Sequence, residues 1–305
     1  MAQSTTIAPV RDAPLADDVE DVRVGEVAAW ILRPEEPPRT AVLMAHGFSM
    51  TRHDGLLPYA RALRDAGHLV VAFDHRHLGD SGGERRQRFR PAEQRADWLA
   101  VADRLRRAEP ALAGRIVLWG FSFSGGHVVR LAREMPGVVA SLVLCPFLDG
   151  FARVLSTPLS TSAWILPQAL ADLAGSHRTI PVTGPPGSRG AMTLPGEAEG
   201  FAASAAASPF GSPWQDAISP GVFATVAMHR PNRHAARITT PIWVGLGERD
   251  VSVSNAAVRE LARKAPRGEL HTYDVDHFEP FYDPEAIRTI SADQVAFLER
   301  VLPKD

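Results

Sequence analysis

The sequence predicts an α/β fold: a mostly parallel central sheet with helices on both faces and a helical cap inserted into it. Three observations carry this. Short apolar runs alternate with longer amphipathic stretches, as expected of parallel strands joined by crossover helices. The run Val117-Leu118-Trp119-Gly120-Phe121-Ser122-Phe123-Ser124-Gly125-Gly126 reads as an apolar strand turning sharply, through a serine, into a helix. The alternation then breaks after Pro146 and resumes only at Ile238.

Taken in order, the apolar runs predict strands at 27–32, 40–45, 69–73, 115–119, 138–144, 241–246 and 269–273. The amphipathic stretches between them predict helices at 56–66, 91–108, 123–135, 255–264 and 287–301. Pro91 suits a first helical turn, where no N–H is needed, and Gly67 and Gly137 suit helix ends. From 150 to 237 the text is rich in Ala, Pro, Ser and Gly, with Trp164, Phe201, Phe210, Trp214 and Phe223 interleaved. A tract this long that carries large apolar residues reads as a lid of short helices rather than a linker. The domain plan is therefore a poorly ordered N-terminal extension at 1–21, a core at 22–149 and 238–305, and a cap at 150–237. No internal repeat is visible.

The chain has 305 residues, enough for a substantial core, with 45% hydrophobic and 22% charged residues, so neither disorder nor a membrane-spanning class is indicated. No apolar run approaches the roughly 20 residues that cross a bilayer. The stretch 1–21 lacks the basic start and apolar core of a signal peptide, so a cytoplasmic location is expected, with no membrane partner. A net charge of −2 argues against nucleic-acid binding, and the local run Arg85, Arg86, Arg88 and Arg90 reads as a solvated loop. The single cysteine, Cys145, cannot form an internal disulfide and sits in an apolar run, so it reads as a buried strand residue. Monomer and homodimer are equally compatible with the sequence.

A serine hydroxyl needs a base within reach and an acid to orient that base. Ser122 sits at the strand-to-helix turn, with Gly120 as the small residue two before it. The strict Gly-x-Ser-x-Gly spelling is broken by Ser124. The strand at 241–246 ends in a loop that delivers Asp250, and the next strand leads to Asp274-Val275-Asp276-His277. In a parallel sheet both loops emerge on the edge that carries the serine turn. Asp276 is the weaker candidate acid, because immediate neighbours seldom face each other. The strand at 40–45 ends in His46-Gly47-Phe48, a turn able to aim a backbone N–H; Phe48 N–H and Phe123 N–H are the expected oxyanion donors.

Other histidines have plainer readings. His46 braces its loop, His127 packs in the elbow helix, and His75 and His77 have the alternation of a metal pair that no further ligand completes, so no metal is expected. His229 and His234 flank the cap's exit.

Over residues 22–302 these features resemble the α/β-hydrolases. The order Ser122, Asp250, His277 matches that family's nucleophile, acid, histidine order. His46-Gly47-Phe48 resembles its oxyanion turn, and Phe73-Asp74-His75-Arg76-His77-Leu78-Gly79-Asp80-Ser81 resembles its loop Asp-x-Arg-Gly-x-Gly-x-Ser after the fourth strand. Ser124 and His77 stand where glycines are usual. The resemblance implies a cap inserted after strand 6, here the strand at 138–144, and relatives of the peptidase-like or dienelactone-hydrolase-like kind. It implies a serine hydrolase acting without a cofactor on a small-molecule ester or lactone, in which Ser122, His277 and Asp250 form the triad. Trp164, Trp214 and Phe223 of the cap are the expected substrate contacts. The same triad also fits hydrolysis of a carbon–carbon, amide or thioester bond, or acyl transfer; a non-catalytic ligand-binding member of the fold is the alternative of another class.

Overall fold

Both faces of nearly every central strand are apolar, and this sets the architecture. The computed structural model describes residues 16–303, so residues 1–15 of the expected extension lie outside the described residues. Eight strands, β1 (Glu20–Val24), β2 (Val27–Leu32), β3 (Thr40–Ala45), β4 (His68–Phe73), β5 (Ile116–Phe121), β6 (Val138–Leu144), β7 (Ile242–Gly247) and β8 (Gly268–Tyr273), form one sheet in the order β1-β2-β4-β3-β5-β6-β7-β8. The β1/β2 and β2/β4 pairs are antiparallel and all others parallel.

The helices are α1 (Leu56–Asp65), α2 (Pro91–Ala108), α3 (Ser122–Glu134), α4 (Gly150–Ser156), α5 (Leu159–Leu173), α6 (Glu197–Ala206), α7 (Asn255–Lys264) and α8 (Pro284–Val301). The period of two along a strand divides the core cleanly. In β3, Val42 and Met44 join a layer with Leu63 of α1 and Ile290 and Phe297 of α8. Ala41, Leu43 and Ala45 join the opposite layer with Trp98 of α2, Leu131 of α3 and Leu261 of α7. Helices thus cover both faces, as a parallel sheet requires.

The expected strands and helices are present, most with bounds shifted by one or two residues, and two differences are larger. β1 has no counterpart in the sequence reading, because Glu20, Asp21 and Arg23 make it look polar. It is an edge strand whose Asp21 carboxylate pairs with Arg52 at 2.9 Å, so the boundary expected at residue 21 cuts through a strand. α8 starts at Pro284 rather than 287, because Asp283 caps it by accepting from Ala286 N–H at 2.8 Å and Pro284 occupies the first turn.

The segment 150–237 holds α4, α5, α6 and 3-10 turns at Pro220–Ala224, Val226–Met228 and Pro231–Arg237. Its Ile165, Phe201 and Val222 are buried in the same apolar layer as β3 and α1, which seats it on the core. The arginine run corrects its sequence reading. Arg85 and Arg90 donate to the buried Asp172 carboxylate of α5, which also accepts from Gly221 N–H at 2.9 Å, and Arg88 pairs with Glu93. Arg85 and Arg90 thus tie the segment 150–237 to the rest of the fold, while Arg86 is exposed as expected. Among the described residues no helix is long and apolar enough to cross a membrane.

Candidate active site

Close approach of β5 and α3 shapes the turn at Ser122. A Cβ on Gly120 would lie 2.6 Å from the Ser124 carbonyl oxygen, so only glycine fits there. Ser122 itself has φ of 50°, the left-handed region that non-glycine residues rarely occupy, and this strained backbone presents its hydroxyl at the sheet's C-terminal edge.

Two loops from neighbouring strands complete a relay. His277, after β8, lies with Nδ1 2.6 Å from Asp250 Oδ2 and Nε2 3.0 Å from Ser122 Oγ. An ionised carboxylate only accepts, so Nδ1 carries the proton and Nε2 is free to accept from the serine hydroxyl. The other Asp250 oxygen accepts from Ser252 N–H and Val253 N–H at 2.8 and 3.1 Å, which fixes the carboxylate in its loop after β7. All three side chains are buried, with residue exposures of 6% for Ser122, 6% for Asp250 and 3% for His277. Asp276 is engaged elsewhere: its Oδ1 accepts from Phe278 N–H and Glu279 N–H, capping the short turn Glu279–Phe281. Asp274 pairs with Arg249 at the surface.

The turn after β3 lies directly against the elbow. A Cβ on Gly47 would meet the Phe121 ring at 2.8 Å and Ser122 Cβ at 3.1 Å. Phe48, Ser122 and Phe123 line one cavity of about 330 Å³ with the cap residues Ile165, Val222 and Val226. The loop after β4 supports this turn from behind. Asp74 accepts from Arg52 N–H at 2.6 Å and also pairs with the Arg52 guanidinium, which is fully buried and reaches Asp21 and Asp80 as well.

The chain matches the family described as "Serine aminopeptidase, S33" over residues 36–285. It belongs to that α/β-hydrolase family. It is 29% identical over 309 residues to the "Quorum-quenching protein AidA" of Acinetobacter baumannii (strain MDR-ZJ06), covering 99% of each chain. It is 36% identical over 112 residues to the "Monoacylglycerol lipase" of Mycolicibacterium smegmatis (strain ATCC 700084 / mc(2)155), covering 36% of this chain and 39% of that one. The crystal structure of the α/β hydrolase GrgF from Penicillium sp. sh18 superposes with a TM-score of 0.74 at 22% identity, covering 90% and 94% of the two chains. The sheet order and the helices on its two faces are those of an α/β-hydrolase.

For this α/β-hydrolase the remaining candidates sort by their contacts. Of the cap aromatics expected at substrate, Phe223 lines the cavity. Trp164 and Trp214 are not among its lining residues; Trp214 stacks on Phe201 with ring centroids 5.4 Å apart. His229 packs flat on Phe123 at 4.3 Å, where burial pushes its pKa down to about 3, and His234 meets Arg133 at the surface. His127 binds Gln94 and is held well below the usual histidine range by burial. His75 and His77 diverge, toward Ser124 and Glu93 respectively. His77 has φ of 74°, which explains why glycine is usual at that place in the family's loop.

Cys145 lies just beyond β6, fully buried with φ of 44°, and burial and the neighbouring Asp250 push its thiol well up. Among the described residues Cys145, Asp250 and His277 are the group whose potential ligand atoms lie within 4.8 Å of one another, but Asp250 and His277 already bond to each other.

Sequence reasoning missed the cavity's other walls, notably Arg153, Thr157 and Thr161 from α4, α5 and the turn between them, and Ser252 after Asp250. Only Ser252 had a signal, its place in the acid's loop. Which face of a cap helix meets the core depends on how the cap docks, and no periodicity within α4 or α5 states that.

Proposed function

We propose that this protein is a serine hydrolase that cleaves an ester or lactone of a small to medium, partly apolar substrate. One observation carries the reading: the Ser122–His277–Asp250 relay opens onto a cavity walled mainly by apolar side chains. His277 Nε2 takes the Ser122 proton as Oγ attacks the acyl carbonyl, and the oxygen becomes an oxyanion facing Phe48 N–H and Phe123 N–H. His277 then gives that proton to the leaving alkoxide, and the acyl group remains on Ser122. Water, deprotonated by His277, attacks the acyl-enzyme and releases the acid and free Ser122. Asp250 holds the imidazole in the tautomer that both steps need.

The cavity of about 330 Å³ lies at the small end of ligand pockets, which suits one acyl chain of moderate length. Likeness to a protein named a monoacylglycerol lipase supports an acyl ester.

The test is labelling with a fluorophosphonate followed by peptide mass spectrometry, alongside turnover of esters, lactones, amides, thioesters and carbon–carbon substrates with Ser122→Ala as blank. Labelling at Ser122 and ester or lactone turnover lost in Ser122→Ala are expected. An unlabelled Ser122 under conditions that label a control esterase, or wild-type turnover by Ser122→Ala, would overturn the reading.

A further inference from the structure

Ser124 occupies the elbow position where glycine is usual, and its hydroxyl does not face the cavity. It is 1% exposed, and its Oγ lies 3.0 Å from His75 Nε2 on the loop after β4. The next links lead back to the oxyanion turn. His75 N–H donates to His46 Nε2 at 3.2 Å. An Nε2 that accepts carries no proton, so the His46 proton sits on Nδ1, which donates to Gly47 O at 2.9 Å. Gly47 O and Phe48 N–H belong to one planar peptide group, so fixing the oxygen fixes the direction of the N–H.

We propose that Ser124 and His75 are positioning residues that, through His46, hold the Gly47–Phe48 peptide in register with the elbow. The inference rests on the reading of Ser122 as nucleophile and of Phe48 and Phe123 as oxyanion donors. Those two donors stand on separate elements, a turn after β3 and the first turn of α3. Hydrogen bonds to a developing charge lose their value steeply with sub-ångström misplacement, so a strut between the two elements has a direct effect on rate.

Two further contacts hold the surroundings. Next to His75, Arg76 N–H donates to Asp97 Oδ2 at 3.0 Å, which anchors the loop to α2. The rings of His46 and His75 meet edge to face with centroids 5.1 Å apart. Burial pushes the His46 pKa down to about 4, which keeps its Nε2 an acceptor throughout the neutral range. A glycine at 124 has no hydroxyl, so the Ser124–His75 link arises from this chain's departure from the usual elbow spelling.

The experiment compares wild type, Ser124→Ala, Ser124→Gly and His75→Phe. It measures kcat and KM on a p-nitrophenyl ester, and the affinity for a trifluoromethyl ketone, whose hemiketal oxyanion on Ser122 occupies the same site. We expect kcat to fall about 10- to 100-fold with KM within about two-fold. Trifluoromethyl ketone affinity should weaken by the same factor as kcat, while inhibition by the free carboxylic acid product stays unchanged. Ser124→Gly carries the usual elbow residue, and His75→Phe breaks the link from its other end, so the test does not depend on one variant folding. A kcat within two-fold of wild type in these variants, or a lost kcat with unchanged ketone affinity, overturns the proposal. Ser122→Ala in the same assay separates the two readings. If it abolishes turnover while the Ser124 variants match wild type, only the strut fails; if it retains turnover, the proposed function fails and the strut with it.

Discussion

Asp250 Oδ2 receives the Nδ1–H of His277 at 2.6 Å, although Asp276 is the carboxylate adjacent to His277 in sequence. Asp276 instead caps the turn that follows, so the two acids have separable roles. Asp250→Asn should lower kcat/KM on an ester about 10³- to 10⁴-fold, because an asparagine amide can present its N–H and impose the wrong histidine tautomer. Asp276→Asn keeps an acceptor oxygen for Phe278 N–H and Glu279 N–H, so it should hold activity within about five-fold and cost less than about 1 kcal/mol of stability. Steady-state kinetics and urea melts of the two variants check this, and a larger activity loss in Asp276→Asn would exchange the assignments.

Much of this was legible because β3, β5 and β7 are continuous apolar runs, each ending in a small-residue turn, and because chain order alone brings Ser122, Asp250 and His277 to one sheet edge. What was not legible depended on charge partners distant in sequence. β1 reads as polar until Asp21 is seen to meet Arg52. The arginine run reads as solvated until Asp172 of α5 is placed beneath it. Trp164 and Trp214 lie outside the cavity lining for a related reason. Their size marks them as packing residues, but the surface they pack against is set by cap docking.

The cap's attachment yields its own expectation. Asp172 is 2% exposed and joins Arg85, Arg90 and Gly221 N–H, so Asp172→Asn leaves two guanidinium groups without their counter-charge. Those arginine side chains keep 15% and 18% exposure and can rehydrate, which puts the cost at about 1–3 kcal/mol, below that of breaking a fully buried pair. The loss should be local. Hydrogen exchange should accelerate in α5 and in 220–224 and leave β3 to β7 unchanged. Uniform acceleration across the sheet would show that the cap and core unfold as one.

Acid should unfold the protein through its buried histidines. His46 and His68 are pushed by burial to about 4, His229 to about 3, and His127 well below the usual range. The unfolded chain binds protons at these sites from about pH 6.5 downward while the folded state does not, so their stabilisation is full above pH 6.5 and is lost as pH falls toward 4. For a histidine such as His46 the loss is on the order of 3 kcal/mol. Asp54 opposes this: burial raises its pKa to about 6, so the folded state holds that proton more tightly and gains stability as pH falls from 6 toward 4. Four histidines against one aspartate give a net fall. Urea midpoints should drop steadily between pH 7 and pH 4, and His229→Phe should flatten the slope. A pH-independent midpoint over that range would contradict the burial argument.

The cavity's dimensions predict an acyl-length preference. Each methylene buried against Ile165, Val222, Phe223 and Val226 contributes about 0.8 kcal/mol, so kcat/KM should rise about four-fold per carbon until the cavity is full and then decline. Ile165→Phe shortens the space from the α5 side without touching the Ser122 relay. It should move the optimum to shorter acyl groups while leaving acetate ester turnover within about two-fold. Trp214→Ala is the discriminating control. Its half-buried ring stacks on Phe201 outside the cavity, so it should cost about 1–3 kcal/mol of stability, less than a fully buried Trp, and leave the length profile unchanged. A p-nitrophenyl ester series on the three proteins measures both effects. A flat wild-type series would remove the acyl chain from the cavity, and a shift with Trp214→Ala but none with Ile165→Phe would place the binding surface on the other side of α6.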